Sequence, residues 1–232
     1  MDRNVQRLDM INGGTAYGVD THKVLRNTYW LLALSMVPTV LGAWFGLRTG
    51  LVSQLTPGVA FIVFMVGAYG LMFGVQATRN SGAGVAMMMA FTGFMGLMLS
   101  RLVGQVLHSY SNGTDIIMMS FGGTAAVFFG MATLATVVKR DLSGVARFAS
   151  IGMMIAIAAV VMNLFMASTA LMLTISVVVM AISSLFMLID VKRVIDGGET
   201  NYISAALAIY IDLYNLFQSL VIILSSLTGN RR

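Results

Sequence analysis

An all-α membrane protein, a bundle of seven transmembrane helices, is the fold class this sequence predicts. Hydrophobic residues make up 58% of the 232-residue chain and charged residues only 10%, where a soluble domain carries about a quarter. Mean hydropathy is correspondingly high, at +0.86. Seven apolar runs, roughly 27–47, 58–77, 83–104, 116–138, 148–166, 169–190 and 202–225, are each long enough to cross a bilayer core, which takes about 20 helical residues. The charges fall mainly between these runs. Twenty-four glycines and twenty methionines suit the same setting, Gly by letting helices approach closely and Met by filling irregular gaps.

Residues 1–27 are polar, with Gly13-Gly14 and alternating charges, and read as a mobile cytoplasmic tail ahead of a helical domain at 28–232. No cleavable signal is visible, because the first apolar run, from near Thr28, outlasts a signal-peptide core. That segment carries Trp30 and Trp44, spaced as two interfacial anchors, with Pro38 between them at a predicted kink. Thr56-Pro57 opens segment two as an N-cap followed by Pro at the first helical position. Gly42/Gly46 and Gly70/Gly74 have the small-xxx-small spacing of close helix crossings. Arg101 and His108 come at the end of segment three and read as interfacial residues. Segments four and five are joined by a basic link containing Lys139, Arg140 and Arg147. Asn163 and Gln218, inside spans, read as interhelical hydrogen-bond donors and acceptors.

The basic residues also set an orientation. With the N-terminus cytoplasmic, that side holds Arg3, Arg7, Lys23, Arg26, Arg79, Lys139, Arg140, Arg147, Lys192 and Arg193, and the other holds Arg48, Arg101, Arg231 and Arg232. Ten against four predicts N-inside and C-outside. The Arg231-Arg232 pair is the discordant element, and a last segment that re-enters and returns its end to the cytoplasm is the alternative it suggests.

Two carboxylates, Asp190 and Asp212, sit in or at the edge of apolar runs, while the other seven lie in tails and connections. A carboxylate within a bilayer costs about 2.5–3.5 kcal/mol on insertion scales, so it usually faces a bundle interior and marks a functional site. Segments six and seven are joined by a short link and should form an antiparallel hairpin with a cytoplasmic turn. Both acids then lie in the cytoplasmic half, offset by roughly 9 Å at helical rise. Contact requires an irregular end to segment six, a tilt between the helices, or a bridging water. In segment six Thr169, Ser176, Ser183 and Asp190 share one stripe. In segment seven Ala205, Ala208, Asp212, Asn215, Ser219 and Ser226 share one face, with Ser204 on its flank. The two stripes predict a polar seam through Ser176, Ser183, Asn215 and Ser219 that contains the acid pair.

Two carboxylates at hydrogen-bonding distance in a low dielectric cannot both ionise cheaply, so such a pair shares a proton. Protonated, it is a latch; ionised, it repels and attracts cations. Arg79, ending segment two, is the candidate counter-ion. Two acids do not make a calcium storage site, which takes about six to eight oxygens, and a transit or gating position fits better. No nucleotide loop, zinc-protease helix or serine-hydrolase elbow occurs, and the sequence indicates no cofactor and no nucleic-acid partner. The absence of cysteine excludes disulfides and thiolate sites. Paired aspartates also occur in intramembrane aspartic proteases, but the expected YD and GxGD settings are missing here, so the sequence does not read as an enzyme.

The hairpin, with Ile189-Asp190 and then IDGGETNYISAALAIYIDLYNLFQSLVIIL from Ile195, resembles the C-terminal signature of the Bax inhibitor-1 family of membrane proteins. THKVLRNTYWLLALS from Thr21, AYGLMFGVQATRNSG from Ala68, AFTGFMG from Ala90, FGGTAAVFF from Phe121 and KRDLSG from Lys139 are similar to its bacterial YccA-type branch. The resemblance covers nearly the whole chain. It implies a seven-helix fold with the last helix central, in a bacterial inner membrane. It further implies a pH-sensitive calcium leak in which Asp190 and Asp212 match a sensing pair and Arg79 stands nearest a basic latch. Members of the YccA-type branch are instead regarded as substrates and modulators of the membrane protease FtsH, which makes a non-catalytic FtsH modulator the alternative function.

Overall fold

Seven helices follow one another with short connections in a computed structural model that describes the backbone of residues 3–230 and the side chains of residues 21–230. They are α1 (Arg3–Thr49), α2 (Pro57–Thr78), α3 (Gly82–Ser109), α4 (Gly113–Val137), α5 (Ser143–Met166), α6 (Thr169–Ile195) and α7 (Tyr202–Thr228). Every one contains a stretch apolar and long enough to cross a membrane, and no strand occurs among the described residues. Helix α1 starts at Arg3, well ahead of the apolar run expected from residue 27. Most of the predicted tail, Met1 and Asp2 and the side chains up to Asp20, lies outside the described residues, as does Arg231-Arg232.

Local chemistry explains the helix ends. Thr56 caps α2 by accepting from the Val59 N–H at 3.4 Å, and Pro57 occupies the first position, where its missing N–H costs nothing. Asn201 caps α7 more fully, since its Oδ1 accepts from both Ile203 and Ser204 N–H groups. At the start of α5, Asp141 accepts from the Ser143 N–H and hydroxyl at 2.9 and 2.7 Å, and these bonds hold its carboxyl below the usual carboxylate range. Helix α1 continues through Pro38.

Glycine decides how close the first three helices come. A Cβ on Gly42 would overlap the Gly93 carbonyl, one on Gly46 the Ser100 hydroxyl, and one on Gly96 the Thr39 carbonyl. Gly42 and Gly46 therefore do mark a close crossing, of α1 on α3. The second pair does not behave as its spacing suggests. Gly70 faces open space, and Gly67 and Gly74 are the residues that meet α3, at Phe94 and Met87.

Helix α7 is the most buried of the seven. It packs against α1, α2, α3, α4 and α6, whereas α5 stands outside and packs on α6. The outer faces are apolar, with Trp30 72% exposed on α1 and Phe165 86% exposed on α5, as lipid-facing surface requires. Helix α7 also crosses the whole bundle. Its first cap meets the end of α2, where Asn201 Nδ2 donates to the Arg79 carbonyl. Its last turn meets the α3–α4 turn on the opposite side, where Asn112 donates to the Thr228 carbonyl at 2.8 Å. These two contacts fit a last helix that runs from one end of the bundle to the other, as seven spans require.

Candidate functional site

Asp212 sits ten residues into α7, on the face turned toward α6, and only 5% of it is exposed. The central position of α7 puts this acid in protein interior. Asp190 lies on α6, which runs on as regular helix to Ile195, and is half-buried. The two side chains meet at hydrogen-bonding range. Because α6 keeps its helical form past Asp190, no irregular end is needed for this contact. The acids stand five residues before the end of α6 and ten after the start of α7, an offset of roughly 7–8 Å.

Two ionised carboxylates are acceptors only, so neither can donate to the other. Asp212 Oδ2 is buried and has no hydrogen-bond partner among the described residues. A proton held by either acid supplies the donor this contact lacks, and a buried carboxylate without one is costly. The charges acting on the pair come from the hairpin itself. Arg193, three residues past Asp190, and Glu199, in the turn, both act on Asp190. Lys192 is engaged elsewhere, in an ion pair with Asp196 at 2.8 Å.

Arg79 lies at the end of α2, exposed, with its guanidinium directed at α7. Its Nη1 donates to Ser204 Oγ and to Gln76 Oε1, both at 3.4 Å, and Ser204 Oγ donates to Gln76 Oε1 at 3.0 Å. With Asn201 bonded to the Arg79 carbonyl and to Asn80 Oδ1, these residues form a clasp between the end of α2 and the start of α7. Arg79 makes no ion pair with either aspartate among the described residues. Its partner on α7, Ser204, stands about two turns ahead of Asp212.

The seam residues are placed as follows. Ser176 and Ser183 are buried on α6, the first donating to the Met172 carbonyl of its own helix and the second with an Oγ that has no partner among the described residues. Ser219 is buried on α7 and Asn215 half-buried. Asn163 acts locally instead of between helices: its Oδ1 accepts from the Ser168 N–H and holds the α5–α6 turn, where Ala167 is left-handed at φ 49°. Gln218 stands beside the Tyr214 hydroxyl of its own helix.

Sequence reasoning passed over Tyr210, which is 1% exposed and two residues from Asp212. Its hydroxyl is paired with Thr39 Oγ1 at 2.8 Å and reaches the Thr92 carbonyl at 3.4 Å, tying α7 to α1 and α3. Its ring packs edge-on against Phe91 and stacks on Tyr214. It belongs to the opposite face of α7 from the acids, so a stripe drawn through the acids misses it. Ser204, Gln76 and Asn201 were also missed as a unit, although Asn201 immediately before an apolar run is a readable cap.

Comparison with known proteins places this arrangement. The family described as inhibitor of apoptosis-promoting Bax1 matches residues 21–229. A protein of Escherichia coli K12 named modulator of FtsH protease YccA is 38% identical over 208 residues, covering 89% of this chain and 91% of the relative. Its counterpart in another Escherichia coli strain, named inner membrane protein YccA, has the same identity and coverage. An uncharacterized protein of Neisseria meningitidis is 38% identical over 218 residues, covering 93% of this chain and 96% of the relative. Seven membrane-spanning helices, a central last helix and a match across residues 21–229 together establish that this chain belongs to the Bax inhibitor family of multi-pass membrane proteins.

Proposed function

We propose that this protein is a pH-sensitive cation leak of the bacterial inner membrane, with calcium as the ion in transit and the proton shared by Asp190 and Asp212 as its gate. One observation carries the reading: the two acids meet inside the bundle, and Asp212 Oδ2 is buried with no partner among the described residues. A single proton makes the pair a hydrogen-bonded latch between α6 and α7. Its loss leaves two like charges in a low dielectric, which favours separation of the helices and entry of a cation. Ser176, Ser183, Asn215 and Ser219 extend polar surface along the same two helices. Arg79 enters this reading as a latch that acts on α7 through Ser204 and Gln76, holding the position of the helix that carries Asp212. Purified protein reconstituted in calcium-loaded liposomes tests the reading. Calcium efflux that depends on the protein and changes with pH supports it, and liposomes as tight as protein-free ones overturn it.

A second reading is supported by the name of the Escherichia coli relative, modulator of FtsH protease YccA. In it the chain is a non-catalytic partner of a membrane-bound protease, presenting its polar N-terminal residues 1–27 and its helices. Co-purification from solubilised membranes with and without residues 1–27 tests it. Association lost on deletion, with insertion intact, supports the tail as the contact.

A further inference from the structure

At the end of the bundle opposite the aspartates, residues of α1, of the connection after it and of α3 line a cavity of about 260 Å³. Glycines hollow it. Gly50 turns the chain out of α1 at φ +66°, a conformation that favours glycine, and a Cβ on Gly104 would press to 3.2 Å from Leu47. Its polar lining residues are Ser53, Ser100, Arg101, Gln105 and His108.

Arg101 is the informative residue. It is half-buried, and its Nη1 donates to the carbonyls of Leu55 at 2.8 Å and Val52 at 3.4 Å in the α1–α2 connection. Both bonds use one nitrogen and both acceptors are neutral. A guanidinium has five N–H donors in a planar fork, so Nε and Nη2 keep theirs. No ion pair neutralises Arg101 among the described residues, and the cavity has no carboxylate in its lining. A fixed positive charge with donors to spare, in a polar hollow without acids, selects an anion with several acceptor oxygens.

The rim says what carries that anion. In the last turns of α1, which supply the lining residues Gly46 and Leu47, Trp44 is 56% exposed with the Arg48 guanidinium over its ring at 5.8 Å, and Leu47 and, just past the helix, Leu51 are exposed. An exposed tryptophan with a stacked arginine marks headgroup depth, and exposed leucines suit acyl chains. We propose that this cavity binds the headgroup phosphate of an anionic phospholipid, with Arg101 as its principal ligand. A zwitterionic headgroup fits less well, because nothing in the lining pairs with its ammonium. Basic pockets between transmembrane helices take anionic lipid headgroups on the same physical grounds.

Native mass spectrometry of the full chain, titrated separately with short-chain phosphatidylglycerol, short-chain phosphatidylcholine and inorganic phosphate, tests this. The expected result is retention of phosphatidylglycerol over phosphatidylcholine by about tenfold, the size of one charge-assisted contact. Arg101→Gln, which keeps a donor for the connection, should bring the two lipids to parity. Gln105→Glu places a carboxylate in the cavity at an exposed helical position and should do the same without touching the connection. That variant keeps the test valid should Arg101→Gln fail to fold. Equal retention of both lipids by the unaltered chain, an undiminished preference in Gln105→Glu, or inorganic phosphate bound as well as phosphatidylglycerol would each overturn the assignment.

Discussion

Asp212 and Tyr210 stand two residues apart on α7 and show how differently single residues announce themselves. Asp212 was legible because a carboxylate in an apolar run is costly and has few reasons to be there. Tyr210 was not, because a tyrosine in such a run is ordinary, and only the structure shows its hydroxyl held by Thr39 of α1. Tyr210→Phe deletes that bond while keeping the ring packing against Phe91 and Tyr214. A loss of about 0.5–1.5 kcal/mol is expected, read as a drop of a few degrees in thermal unfolding in detergent. No loss would mean that Thr39, which also donates to the Ser35 carbonyl, satisfies itself without the tyrosine. Arg79 was found from its sequence position at the end of segment two, but its hydroxyl and amide partners could not be. Charge is visible in a sequence, whereas the direction a long flexible side chain takes depends on which helix ends up beside it.

Among the elements, spacing predicted where helices lie better than which of their faces touch. All seven apolar runs became helices, and the Thr56-Pro57 start of α2 formed as its residues dictate. The glycine pairs divided, because small-xxx-small spacing defines a face without naming its neighbour: Gly42 abuts α3 and Gly70 faces open space. The contrast gives a paired test. Gly42→Val should destabilise by about 1–3 kcal/mol or more through overpacking, while Gly70→Ala should be neutral or stabilising by up to roughly 1 kcal/mol through helix propensity. Equal effects in a thermal unfolding assay would contradict the α1–α3 crossing. The start of α5 supplies a pH test. The Asp141 carboxyl is held below its usual range by Ser143, so its support of the helix start is complete above the ordinary carboxylate range and is lost as pH falls through the lowered value. Hydrogen exchange at Ser143, corrected for intrinsic rates, should speed up on acidification, and Asp141→Asn should show less of that change.

The whole molecule is a shell of helices around α7, with the acid pair toward one membrane face and the Arg101 cavity toward the other. Its class was legible from composition alone, since 58% hydrophobic and 10% charged residues leave lipid as the only suitable solvent. The contact between Asp190 and Asp212 was legible only as a requirement, because the end of α6 lies five residues later than the apolar run suggests. Lys192 and Arg193 extend the helix into the polar zone, where cations suit a helix C-terminus. Seven complete crossings would put the two termini on opposite sides, and on the basic asymmetry we propose that the N-terminus lies inside. A reporter fused after Arg232 should therefore register outside the cytoplasm, and a cytoplasmic signal would contradict that orientation. The gate itself is tested most directly by cation flux into liposomes, followed across neutral pH for the unaltered chain, Asp212→Asn and the Asp190→Asn, Asp212→Asn double variant. Asparagine keeps the shape and much of the hydrogen bonding and removes the titration, so a shared proton predicts that Asp212→Asn conducts without a pH response and that the double variant behaves like the single one. A full pH response retained by folded Asp212→Asn would contradict the shared-proton gate and leave Asp212 as a packing residue.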